Sequence, residues 1–85
     1  MQIYYSTKFR REYKKLSKEV KLLAEEKEMV FRKDPFDRKL DTHKLHGRLR
    51  EFWAFSIDNS NRIIFEFANR DIVWFHSVGD HSIYS

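Results

Sequence analysis

Three runs of aromatic and β-branched residues crowd the stretch from Leu45 to Tyr84, split by two short polar breaks. Such residues fit a pleated, half-buried surface better than a helix. The first run reads as a strand over residues 48–57, with Trp53, Phe55 and Ile57 on one face and Phe52, Ala54 and Ser56 on the other. Glu51 falls in phase with Trp53, which a bulge or a strand end at that point would resolve. Asp58-Asn59-Ser60-Asn61 is a turn by composition. The second run, Arg62 to Phe67, sets Ile63, Phe65 and Phe67 on one face against Arg62, Ile64 and Glu66. Ala68 to Asp71 turns the chain again, and Ile72 to Val78 is the last strand. Short turns between successive strands predict an antiparallel meander.

The N-terminal half changes period. Ile3, Tyr4 and Tyr5 favour a short strand, and Ser6 or Thr7 can cap a helix that carries Phe9, Tyr13 and Leu16 at helical spacing. Ser17 is a second cap, followed by an apolar stripe of Val20, Leu23, Ala24, Val30 and Phe31 that Leu22 and Met29 widen. Pro35 ends this helix, because the residue before a proline avoids helical angles. Residues 38–46 are polar and are read as irregular, and Gly47 punctuates the chain before the first long strand. The order is β-α-α-β-β-β, an α+β plan in which two N-terminal helices pack on one face of a mostly antiparallel sheet. The other face is expected to be partly open, carrying Arg62, Glu66, Arg48 and Arg50. Trp53 and Trp74 are expected in the core, and His76 is read as structural.

Eighty-five residues suit one domain, residues 1–85. No cysteine is present, which removes disulfides and thiolate metal sites and fits a reducing compartment. The first residues lack the apolar core of a signal peptide, and no apolar run approaches the ~18 residues of a membrane span. A soluble, cytoplasmic protein with no membrane association is the expectation. The net charge of +4 and pI near 9.5 favour a polyanionic partner such as nucleic acid.

Few residues suit chemistry. Arg62 opens an otherwise apolar strand and either grips a phosphate through two donors or pairs with Asp58 or Glu66. His43 and His46 flank Lys44; a His-x-x-His pair without a third ligand makes a poor metal site, and no metal or other cofactor is expected. His81 and Tyr84 follow the last strand, where they suit proton transfer and base stacking, or else form a tail packed on a helix. No glycine-rich phosphate loop and no nucleophile elbow is present.

Several segments together resemble the RelE/ParE superfamily of type II toxin–antitoxin toxins, nearest its RelE-like branch with YafQ- and YoeB-type members. They are Ile3 to Leu16, Asp34-Pro35-Phe36, His43-Lys44-Leu45-His46-Gly47, Phe52 to Ile57, Arg62-Ile63-Ile64-Phe65 and Val78 to Tyr84. Each is weak alone; their shared order is specific. The resemblance implies a ribosome-dependent mRNA endonuclease that enters the ribosomal A site. It would cleave mRNA without metal, through attack of the RNA 2′-hydroxyl on the adjacent phosphate. On this sequence it implies Arg62 as the phosphate-steadying cation, His81 and His43 as acid/base groups, and Tyr84 as the terminal aromatic that orients substrate. Lys44, His46, Arg48 and Arg50 would hold RNA. Where some relatives have threonine before the histidine, this chain has Asp80, a carboxylate able to raise the His81 pKa or weaken RNA binding. The implied partner is a cognate antitoxin in a hetero-oligomer. Two alternatives stand beside this one: a ParE-type inhibitor of DNA gyrase that acts by binding, and a non-toxic chain that only binds its antitoxin.

Overall fold

The computed structural model describes residues 1–84. Strand β1 (Gln2–Tyr5) leads into helix α1 (Thr7–Lys14) and helix α2 (Lys18–Lys33). Four strands follow: β2 (His43–Lys44), β3 (Trp53–Ser56), β4 (Arg62–Phe67) and β5 (Ile72–Gly79). Short 3₁₀ turns occupy Arg38–Leu40, Gly47–Leu49 and His81–Tyr84. Both expected caps form. The Ser6 hydroxyl accepts from the Phe9 N–H at 2.9 Å, and the Ser17 hydroxyl accepts from Val20 at 3.2 Å. Each satisfies a backbone donor that the first helical turn leaves free.

The five strands form one sheet in the order β1-β5-β4-β3-β2. β2 to β5 are antiparallel neighbours, while β1 lies parallel to β5, with Gln2 opposite Ile72 and Tyr5 opposite Phe75. The α+β arrangement expected from the sequence is the one found, and the last strand lies inside the sheet rather than at its edge.

Alternation sorts the side chains. Ile63 and Phe65 of β4, Phe55 of β3, and Val73, Phe75 and Val78 of β5 point toward the helices and join Phe9, Ala24 and Phe31 in the main core. Phe31 is fully buried and touches Phe55, Phe65 and Phe75 at ring-centroid distances of 5.0, 4.9 and 5.4 Å. Edge-on and offset contacts of this kind add to the area term. The opposite, outer face holds a smaller cluster of Leu45, Ala54 and Ile64, with Leu49, Phe52, Ile83 and Tyr84 against it.

Four expectations are corrected. The first long strand begins at Trp53 rather than Arg48: Gly47, with φ +66°, starts a 3₁₀ turn there, and Glu51 lies outside the sheet. Arg48 and Arg50 therefore border the sheet instead of standing on it. Within the segment read as irregular, His43 and Lys44 pair with Ala54 and Trp53, a strand too short to leave a periodic signal. Leu22, Leu23 and Met29 are exposed. α2 meets the core through a narrow stripe that includes Val20, Ala24 and Phe31, and a single sheet has no second layer to cover its flank.

Trp74 is also exposed, because of a β-bulge. Ile64 pairs with Ser77 but Phe65 pairs with Phe75, so His76 is the extra residue. The bulge lets Phe75 and Val78 both face the core, although they are three positions apart. Trp74 and His76 are left on the outer face.

Ser6, the N-cap of α1, and Glu12 within the helix fix this bulge. The Ser6 hydroxyl donates to the His76 carbonyl at 2.8 Å. One Glu12 carboxylate oxygen accepts from the Ser77 hydroxyl at 2.7 Å and the Val78 N–H at 3.0 Å. No helix of the described residues is long and apolar enough to cross a membrane.

Candidate functional site

Arg62 is the first residue of β4 and lies on the outer face, opposite Ser56 and Gly79. The preceding turn shapes its surroundings. One Asp58 carboxylate oxygen accepts from the N–H groups of Ser60 and Asn61 at 2.8 and 2.7 Å. Burial pushes the Asp58 carboxyl up, but these donors, the Asn61 amide and the Arg62 charge outweigh it and hold its pKa below the usual value. The turn in turn offers its Asp58 carbonyl to the Arg62 guanidinium at 3.0 Å. Arg62 is thus steered by neutral carbonyls, and it forms no ion pair among the described residues. Of the two readings of Arg62, pairing with a carboxylate of Asp58 or Glu66 is not made; Glu66 instead accepts from His76 Nε2, or pairs with it when His76 is protonated, at 2.8 Å.

The C-terminal turn brings the second half of the site. Asp80 organises it: one carboxylate oxygen accepts from the Ser82 N–H at 2.9 Å and its carbonyl accepts from Ile83 at 3.1 Å. Hydrogen bonds from the Ser82 side chain and backbone, aided by the charge of His81, hold the Asp80 carboxyl low. The Asp80 carboxylate is therefore engaged in shaping the turn. Gly79 makes the close approach possible, because a Cβ there would stand 2.8 Å from Ile83 Cγ2. Ile83 and Tyr84 then seat against the outer cluster of Leu45, Ala54 and Ile64.

This seating sets Tyr84 beside Arg62. Burial raises the Tyr84 pKa, while the charge and hydrogen bonding of Arg62 oppose part of that rise. The phenol stays neutral near pH 7, able to stack and to donate a hydrogen bond. The His81 ring lies 5.9 Å from that of Tyr84, centroid to centroid, and is open to solvent. Arg62, Tyr84 and His81 thus form one group at one end of the outer face.

The other sequence-derived candidates are placed differently. His43 lies on the same face, opposite Ala54 and hence in line with Ile64, with Nδ1 3.0 Å from the Asp41 carbonyl. Two interstrand spacings separate its strand from that of Arg62, or about 10 Å. His46, Arg48 and Arg50 are exposed around the Gly47–Leu49 turn. Lys44 lies on the other side of the sheet from His43, its ammonium 5.2 Å from the Trp53 ring centroid. Asp58 and Gly79 also shape the site, Asp58 through its bonds to Ser60 and Asn61 and Gly79 through its close approach to Ile83; an aspartate at the head of a polar turn is the available sequence signal for the first. Among the described residues no group of three His, Cys, Asp or Glu side chains is placed to hold a metal ion.

Comparison with known proteins agrees with this architecture. A crystal structure of YafQ from E. coli superposes with a TM-score of 0.81 at 15% identity, covering 98% of this chain and 96% of that one. A YoeB/ParE toxin from Agrobacterium tumefaciens gives a TM-score of 0.81 at 12% identity, covering 95% of this chain and 99% of the other. The toxin in the E. coli DinJ-YafQ toxin-antitoxin complex is similar at a TM-score of 0.75 and 17% identity, with 96% of this chain and 93% of that chain covered. At these identities the likeness is one of fold. No functionally curated protein sequence matches the chain. Residues 1–84 match the family described as "Bacterial toxin of type II toxin-antitoxin system, YafQ", and the chain belongs to that family.

Proposed function

We propose that this toxin is a ribosome-dependent mRNA endonuclease acting in the cytoplasm. The observation that carries this reading is the grouping of a cation, a neutral phenol and an exposed imidazole at one end of an open sheet face. In the reaction, the 2′-hydroxyl oxygen attacks the adjacent phosphorus and the bond to the 5′-oxygen of the next nucleotide breaks. The products are a 2′,3′-cyclic phosphate and a free 5′-hydroxyl. Arg62 bears the charge that builds on the phosphorane oxygens. His81 and His43 are the acid/base pair, one taking the 2′-hydroxyl proton and the other protonating the leaving oxygen. Tyr84 stacks on or orients the substrate, and His46, Arg48 and Arg50 hold flanking phosphates, while Lys44, which faces the other side of the sheet, drops out of the RNA-holding set.

The cognate partner is an antitoxin that covers part of this basic surface, as the DinJ-YafQ complex pairs a related fold with its own antitoxin. Primer-extension mapping of mRNA in a translating extract tests the reading. Ribosome-dependent cuts should appear with the wild-type chain and disappear with Arg62→Ala and with His81→Ala. Cuts that persist unchanged in both variants would remove these residues from the mechanism. Absence of cuts together with blocked DNA supercoiling would reassign the chain to a gyrase-directed activity.

A further inference from the structure

The far end of the outer face carries a second arrangement that the cleavage chemistry does not use. Tyr4 and Trp74 are register partners on β1 and β5, and their rings stack at 5.1 Å with planes 30° apart. Both are exposed, at 43% and 36%. The Trp74 ring is followed by that of His76 at 6.4 Å, and His76 meets Phe52 edge-on at 4.9 Å. Phe52 and His76 line a shallow pocket with Lys8, Ile64 and Ile83. Ile64 and Ile83 also belong to the cluster that seats Tyr84. The aromatic row is therefore continuous with the candidate site.

Packing does not explain an indole at this position. Val73 and Phe75 already supply the core residues of this part of β5. The solvated face of a sheet ordinarily alternates to polar residues. A flat, open π surface is instead what single-stranded nucleic acid binders present to successive bases, next to cations that track the backbone. Here the cations are Lys8, which lines the pocket, exposed Arg48 and Arg50, the chain neighbours of the lining residue Leu49, and Arg62, in a chain of net charge +4. Trp74 pairs with Glu66, four positions along β4 from Arg62. That separation is about 13 Å, too far for the same nucleotide and suited to one a short way along an extended strand.

We propose that Tyr4 and Trp74 form a stacking platform for an unpaired RNA base lying a few nucleotides from the phosphate held at Arg62. The proposal rests on the endonuclease reading for its second anchor point. It adds a binding site that extends the RNA path across the whole outer face.

The test is fluorescence anisotropy at low salt with a labelled, single-stranded RNA oligonucleotide, 2′-O-methylated throughout so that it cannot be cleaved. Wild type should bind, and Trp74→Ala should weaken binding by about 5- to 100-fold, as loss of one stacked base does. Trp74→Phe should keep most of the affinity, whereas Trp74→Leu, apolar but without a π face, should behave like Trp74→Ala. Tyr4→Ala should show a smaller loss. Wild-type protein that fails to bind, or a Trp74→Leu variant that binds like wild type, overturns the platform. Intact RNA affinity in Trp74→Ala combined with weakened antitoxin binding also overturns it, in favour of a protein contact. The mRNA-cleavage assay with Arg62→Ala separates the two readings. Cleavage lost in Arg62→Ala alongside undiminished oligonucleotide binding in Trp74→Leu sinks the platform alone. No cleavage by wild type alongside the Trp74 pattern above sinks the endonuclease alone.

Discussion

The two faces of the sheet are made from the same strands and behave as different materials. On β4, Ile63 and Phe65 are buried under the helices, while Arg62, Ile64 and Glu66 point the other way. The inner face is a continuous aromatic core whose rings touch in a closed set. The outer face is a patchwork: one small apolar cluster, an arginine held by carbonyls, an imidazole–carboxylate pair and an exposed indole. The contrast shows how an 85-residue chain can hold an open, charged surface at all. The inner face supplies the stability, so the outer face is free to keep charges and rings uncovered.

This division predicts a graded set of outcomes. The largest is on the inner side. Phe31→Ala should cost about 3–5 kcal/mol, the usual range for truncating a buried phenylalanine, seen as a much lower urea midpoint. A small shift would mean that the core is not the sole source of stability. Next, Arg62→Ala should reduce ribosome-dependent cleavage by about 100- to 1000-fold, by analogy with removing one donor from an anion-stabilising site. Its urea midpoint should move far less than that of Phe31→Ala. A comparable midpoint shift would show that the faces are not separable.

Intermediate effects should come from residues that join the two faces. Glu12→Ala leaves the buried Ser77 hydroxyl and the Val78 N–H without their acceptor. It should cost about 1–3 kcal/mol and loosen the bulge, measurable as faster amide exchange along β5. Gly79→Ala forces Ile83 aside, so cleavage should fall while the urea midpoint changes by about 1–3 kcal/mol at most. Unchanged cleavage there would mean that the C-terminal turn tolerates displacement.

The smallest effects are titrations. Tyr5 reaches the inner flank, where burial and then the Glu28 carboxylate, at 2.7 Å, raise its pKa to about 12 from 10.0. The proton is held more tightly in the fold than in the unfolded chain. The associated stability is complete below pH 10 and is lost as pH rises from there toward 12. Tyr5→Phe should flatten the stability profile across that window. On the outer face, Arg62→Ala removes the cation that opposes the burial of Tyr84. The Tyr84 phenol should then ionise at higher pH in ultraviolet difference titration, a readout independent of activity. No change would place the guanidinium away from the phenol.

Local pattern carried most of the fold. Ile63, Phe65 and Phe67 announce a strand face, Ser6 and Ser17 announce helix starts, and Pro35 announces an end. What escaped depends on pairing across the sheet. The run from Trp74 to Val78 alternates evenly in sequence, and only the shift from Ser77 to Phe75 opposite β4 shows that its phase breaks at His76. Arg48 and Arg50 precede an aromatic run without a break, and only the left-handed Gly47 reveals the turn they occupy. The site was legible as residue types and as a resemblance. Its assembly was not, because Gly79, Asp80 and the bulge bring Tyr84 to Arg62 through geometry that no spacing encodes.

The parallel pairing of β1 with β5 also has a consequence in time. Gln2 finds its partner at Ile72, so the first strand cannot dock until the last has formed. β5 is itself the neighbour that completes β4. Helices α1 and α2 can form as a chain emerges during synthesis, but the sheet closes late, through contacts remote in sequence that fold slowly. A half-made chain therefore has helices without an outer face, and Arg62 has no Tyr84 beside it. The surface that defines this protein is the last thing the chain acquires.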